Sequence, residues 1–108
     1  MAIVAAASGT QVATVNTEHS LTQQTGVGIY VLTVNLAEMA AGDTVVLKLK
    51  TKTLSGSTSQ LAYAYTYSDA QTELNVYSVP VPVDVEIICT LTQTAGSSRS
   101  FPWKLLRA

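Results

Sequence analysis

Val83-Asp84-Val85-Glu86-Ile87-Ile88-Cys89-Thr90-Leu91-Thr92 is the stretch whose reading decides the fold. Successive side chains of an extended strand point to opposite faces, so Val83, Val85, Ile87, Cys89 and Leu91 share one side and Asp84, Glu86, Ile88, Thr90 and Thr92 the other. The first set is expected to face a core and the second to face water, which is the pattern of an antiparallel sheet with one wet face. Asp84 and Glu86 then stand roughly 6 to 7 Å apart on the wet side. A glycosidase pair can have that separation, but two carboxylates on a solvated strand are the commoner cause.

The same alternation recurs in both directions along the chain. From Thr44 to Leu54, Val45, Leu47 and Leu49 point inward, while Val46, Lys48, Lys50 and Lys52 point outward. The lysines form a row spaced by ~6.8 Å, read as a solvated face or as an edge guarded against unwanted pairing. Further strands are expected at Thr17 to Gln24, Val27 to Leu36, Ser59 to Ser68, Leu74 to Val79 and Ser100 to Arg107, with a helical turn at Leu36 to Ala40. Ser and Thr fill 25 positions and Val 13, and β-branched residues of this kind suit pleated segments better than helices. Ala41-Gly42-Asp43, Ser55-Gly56-Ser57 and Ala95-Gly96-Ser97-Ser98 supply the turns. Pro80 and Pro82 cannot donate to a ladder, which makes Val79 to Val83 an edge, a crossover or an extended linker. Six to seven short antiparallel strands follow, as an all-β sandwich or, alternatively, a small barrel. Residues 1–16 carry no charge and are either an N-terminal arm or a first strand, ahead of a single domain over 17–108.

Composition narrows the function. Only 12% of the residues are charged and the net charge is −1, which speaks against a nucleic-acid binder that depends on phosphate neutralisation and suits a chain that joins an assembly. One cysteine allows no internal disulfide and no cysteine-rich zinc site. The apolar opening lacks the basic residues and the length of a signal peptide, and no apolar run reaches the ~18 residues of a membrane helix. No cofactor motif is found: Gly26-Val27-Gly28 lacks the third glycine, the lysine and the helix of a phosphate loop. His19 is the only histidine, so a small hydrolase would have to use it, and no nucleophile motif accompanies it. Cys89 falls on the core face, where a thiol acts as a small hydrophobe.

Aromatic residues are the candidate interface. Tyr63, Tyr65 and Tyr67 alternate with Ala62, Ala64 and Thr66, so the three rings share a face that is either a core wall or a patch at a subunit interface. Phe101 and Trp103 alternate on the last strand, where they either close the core or anchor a neighbouring chain. Pro102 between them calls for an unpaired amide position, at an edge or a bulge.

The segment from Cys89 to Trp103, with its Gln93-Thr94-Ala95-Gly96 turn followed by Arg99-Ser100-Phe101-Pro102-Trp103, resembles small all-β virion proteins of tailed bacteriophages. Ile29 to Leu36 followed by Ala40-Ala41-Gly42-Asp43, and Leu61-Ala62-Tyr63, are similar to the same group, and the resemblance covers roughly Thr17 to Leu105. It implies a non-enzymatic structural protein, a capsid decoration or cement protein or a head-fibre-associated one. Its partners would be the major capsid protein or other virion proteins and further copies of itself in a homo-oligomer, in the virion, with no nucleic acid, membrane or small-molecule substrate. It carries no catalytic residues over. A tail, neck or fibre-adaptor subunit and a carbohydrate- or receptor-binding module are the alternatives.

Overall fold

The computed structural model describes residues 2–108; Met1, the first residue of the expected arm, lies outside them. Among the described residues nine strands form: β1 (Val4–Val12), β2 (Glu18–Gln24), β3 (Gly28–Asn35), β4 (Thr44–Thr51), β5 (Gln60–Ser68), β6 (Asn75–Tyr77), β7 (Val81–Val83), β8 (Ile87–Ala95) and β9 (Ser100–Arg107). They build two antiparallel sheets, a sandwich as the alternation requires. One has the order β1-β9-β3-β6, with β7 also on β3, and the other the order β2-β8-β4-β5.

The core lies between the sheets. Tyr30, Leu32, Val34, Phe101 and Leu105 come from one side and Val45, Leu47, Leu49, Ile87, Cys89 and Leu91 from the other, all buried. Fully burying side chains of this size contributes ~1.5–3 kcal/mol each. Only the β4–β5 connection joins strands paired within one sheet; β7 follows β6 along the same edge of β3, and every other connection passes between sheets. Leu36 and Met39, in the single turn closed by the Met39 N–H on the Leu36 carbonyl at 3.1 Å, are buried as the chain crosses.

Several sequence expectations are corrected. There are nine strands rather than six or seven, because Val79 to Val83 contributes a short edge strand and residues 4–12 a full one. The first strand, not a loose arm, is what Val4–Val12 forms, paired antiparallel to β9 from Val4↔Arg107 to Val12↔Ser100. The segment Val83 to Thr92 is not one strand. Val83 ends β7 against Gly28, the chain bends at Asp84 and Val85, and Ile87 begins β8 between β2 and β4. The alternation survives the bend because both strands turn the same side chains toward the common interior. Glu86, expected to be wet, is only 7% exposed.

The lysine row does lie outside the core, but Lys48 and Lys50 are on β4, which has β8 and β5 on its two sides, and Lys52 directly follows it; the row guards no edge. The last strand is likewise no edge, since β9 lies between β1 and β3. Pro102 is accommodated because the β3 ladder ends at Val34↔Trp103, one residue before it. At Pro102 only β1 is alongside, through Thr10, so the missing amide need not break a two-sided ladder. Pro82 satisfies the same rule in β7, at the outer edge of β3.

Candidate functional site

The groups with chemical potential are occupied by structure. Burial pushes the Cys89 thiol up to about 12, so it carries no thiolate at neutral pH. His19 on β2 accepts the Thr14 backbone N–H on Nε2 at 2.9 Å and so ties down the turn before the strand. Glu86 accepts the Ser59 hydroxyl at 2.7 Å and the Gln23 amide, and Lys52 stands 3.6 Å away. These hydrogen bonds, with the Lys52 charge, hold its carboxyl below the usual range against the opposing effect of burial. Asp84 is exposed and apart from this set. On the outer face of β4, Lys50 pairs with Glu18 at 3.3 Å. Among the described residues no three His, Cys, Asp or Glu side chains gather as metal ligands.

Asp43 is the most heavily engaged acid. Its carboxylate accepts the Ala40 N–H at 2.9 Å, the Ser97 N–H at 3.2 Å and Arg99 Nε at 2.8 Å. The Ala40 bond is the largest of the effects that hold its carboxyl below the ordinary value. Its own carbonyl takes the Asp69 N–H at 2.7 Å. Gln93, fully buried, donates to the Ala95 carbonyl at 3.1 Å and accepts the Arg99 N–H at 3.2 Å. Gly96 is at φ 92°, and a Cβ there would lie 1.9 Å from Asp43 Oδ1. Ala40 to Asp43 and Gln93 to Arg99, far apart in sequence, thus meet in one buried polar set that fixes one end of the sandwich. The sequence pattern marked these residues without revealing that they meet.

The sequence-derived interface residues separate into three environments. Phe101 is fully buried and belongs to the core. Trp103 packs half-buried at its margin, its indole lying over Gly9 of β1. The tyrosines line the face of β5 that continues the core beyond the edge, paired with Leu49, Leu47 and Val45. Tyr63 and Tyr67 pack against the core, while Tyr65 is 53% exposed.

A second surface was not foreseen. On the outer face of the five-stranded sheet, Val31 and Leu106 sit opposite one another in the β3–β9 ladder. With Ile3, Ile29, Tyr77 and Pro80 they bound a depression of about 320 Å³. Ile3 is 68% exposed and Tyr77 60%. Next to this face runs β1, paired on one side by β9 alone. The row of backbone donors and acceptors on its other side faces outward over nine residues that include no charge and no proline. Such an edge is a template for another strand. What hid this surface is that residues 1–16 have no clean period, so the sequence told neither the pairing of β1 nor which of its sides stays open. No family model, curated protein or solved structure matches this chain.

Proposed function

We propose that this protein is a non-enzymatic structural subunit of a tailed-bacteriophage particle, decorating or cementing the capsid or seating a head fibre, and that it works by association with capsid subunits and with copies of itself. The observation that carries the reading is the open, uncharged β1 edge running beside the apolar outer face of its sheet. An unpaired edge supplies directional hydrogen bonds to an added strand, and the apolar face beside it supplies area to bury. The motifs that resemble phage virion proteins support it further: Asp43, Gln93, Gly96 and Arg99 stiffen the end of the sandwich rather than surround a reactive group. In a particle many copies bind at once, so modest single contacts suffice.

Particles purified from a lysate that contains this protein test the reading. It should band with intact virions, and electron microscopy should place it on the head in step with the capsid subunits. A copy number in step with the tail axis would move it to the tail, neck or fibre adaptor. Absence from washed particles would overturn the proposal.

A further inference from the structure

At the side of the sandwich opposite β1, β5 of one sheet and β6 of the other leave a cleft of about 590 Å³ between them. One wall is the tyrosine row of β5. Tyr63 and Tyr67 form its floor, and Tyr65 stands out into solvent with its ring centroid 4.8 Å from that of Tyr67 at a 56° tilt. The facing wall comes from the 69–75 connection, which is anchored rather than loose. Asp69, at φ 65°, donates its N–H to the Asp43 carbonyl at 2.7 Å and accepts the Gly42 N–H on Oδ1 at 2.8 Å. From this connection Gln71 and Glu73 line the cleft, and Tyr77 stands at its rim.

We propose that this cleft is a binding site for a neutral oligosaccharide. Three features of its chemistry favour that ligand. Tyr65 stands exposed beside the partly buried Tyr63 and Tyr67, and the exposed Tyr77 also lines the cleft, so flat, apolar sugar faces can lie against these rings; tyrosine offers such area with little entropy to lose. Polar atoms interleave with the rings. The Gln71 amide nitrogen is committed to the Ser68 carbonyl at 2.8 Å, which leaves its Oε1 to accept from a ligand hydroxyl, and the Glu73 carboxylate accepts another. The Tyr67 hydroxyl is protonated at neutral pH as any phenol is, and burial, with the neighbouring Tyr63 and Tyr65, raises it above the usual phenol value, so it can donate to a ligand. Finally, no lysine or arginine lines the cleft and Glu73 does, which disfavours phosphate- or sulfate-bearing ligands. The pocket lies within the size range of small-ligand sites. It stands on the edge away from β1, so it stays accessible when β1 is engaged.

The test is an amide-resolved NMR titration of the full chain with cellohexaose, maltohexaose and chitohexaose, and with dextran sulfate as the anionic comparison. At least one neutral hexamer should shift the amides of residues 63–67 and 71–77. Tyr65→Ala should weaken that binding at least about ten-fold, and Tyr65→Phe, which keeps the ring, by less than about three-fold. Because Tyr65 is half exposed, the rest of the Tyr65→Ala spectrum should match the wild type; if it does not, Gln71→Ala takes its place and should also weaken binding. No shift with any hexamer, shifts elsewhere on the molecule, a response to dextran sulfate alone, or binding unchanged by Tyr65→Ala would overturn the site. None of these outcomes depends on whether the protein belongs to a particle.

Discussion

At one edge of the five-stranded sheet β1 runs nine residues without a charge or a proline, its one irregularity a bulge between Ala5 and Ala7. At the other edge β6 and β7 contribute three residues each, separated by Ser78, Val79 and Pro80, and β7 carries Pro82. Short strands and prolines are how proteins blunt an edge. The four-stranded sheet blunts one edge only: β2 has Glu18 and a bulge between Ser20 and Thr22, whereas β5, like β1, runs nine residues without a charge or a proline and with a single bulge. Two long uncharged edges are thus left open, β1 and β5, and the proposed association uses β1, which runs beside the apolar outer face of its sheet.

The comparison requires that both edges hang on one rigid frame, so breaking the frame should give the largest effect. Gly96→Ala drives a Cβ into Asp43 and should destabilise the fold by at least about 3 kcal/mol. Gly42→Ala, at φ 90° but with open space around it, should cost only about 1–2 kcal/mol. Equal losses in denaturant melts would show that the Asp43 set does not hold the frame.

Acid should loosen the frame more gradually. Asp43, Glu86 and Glu18 all have folded values below the ordinary carboxylate range, so the unfolded chain binds more protons. The stability they contribute is fully present above the unfolded carboxylate values, about pH 4, and is lost as the pH falls through their lowered folded values. Melts from pH 7 down to pH 2 should show that fall, and Asp43→Asn should flatten it; a chain that gains stability on acidification would contradict the assignment. The smallest effect belongs to the blunted edge: Pro82→Thr should change stability by less than about 0.5 kcal/mol while raising the concentration-dependent mass by light scattering, because it restores a donor to β7. An unchanged mass would mean that the interruption at residues 78–80, not the proline, keeps that edge closed.

How far the sequence could be read follows from the same physics. Strands with one wet face were legible, since Val45, Leu47 and Leu49 on β4 alternate cleanly with residues outside the core. The crossing at Asp84 to Glu86 was not, because a chain that changes sheets without changing which side chains face inward keeps its period; Glu86 therefore read as wet. Pro102 suggested an edge for the whole of β9, whereas only the position itself needed one. The tyrosine face was legible by period, but the cleft depends on where the 69–75 connection is pinned, and the Asp43–Asp69 contacts that pin it join residues 26 apart in sequence.

The most direct test of the central claim is the mass of the purified chain in solution over a range of concentrations, alone and with Ser8→Lys and Thr10→Lys together. Both positions are exposed on β1, and paired edges would bring like charges together, which should weaken association about 100-fold without changing the circular dichroism spectrum. The wild type should scatter as a multiple of 11.4 kDa, and the double variant should fall to the single-chain mass. A wild type that remains at 11.4 kDa at every concentration, or a double variant that assembles as well as the wild type, would contradict the claim.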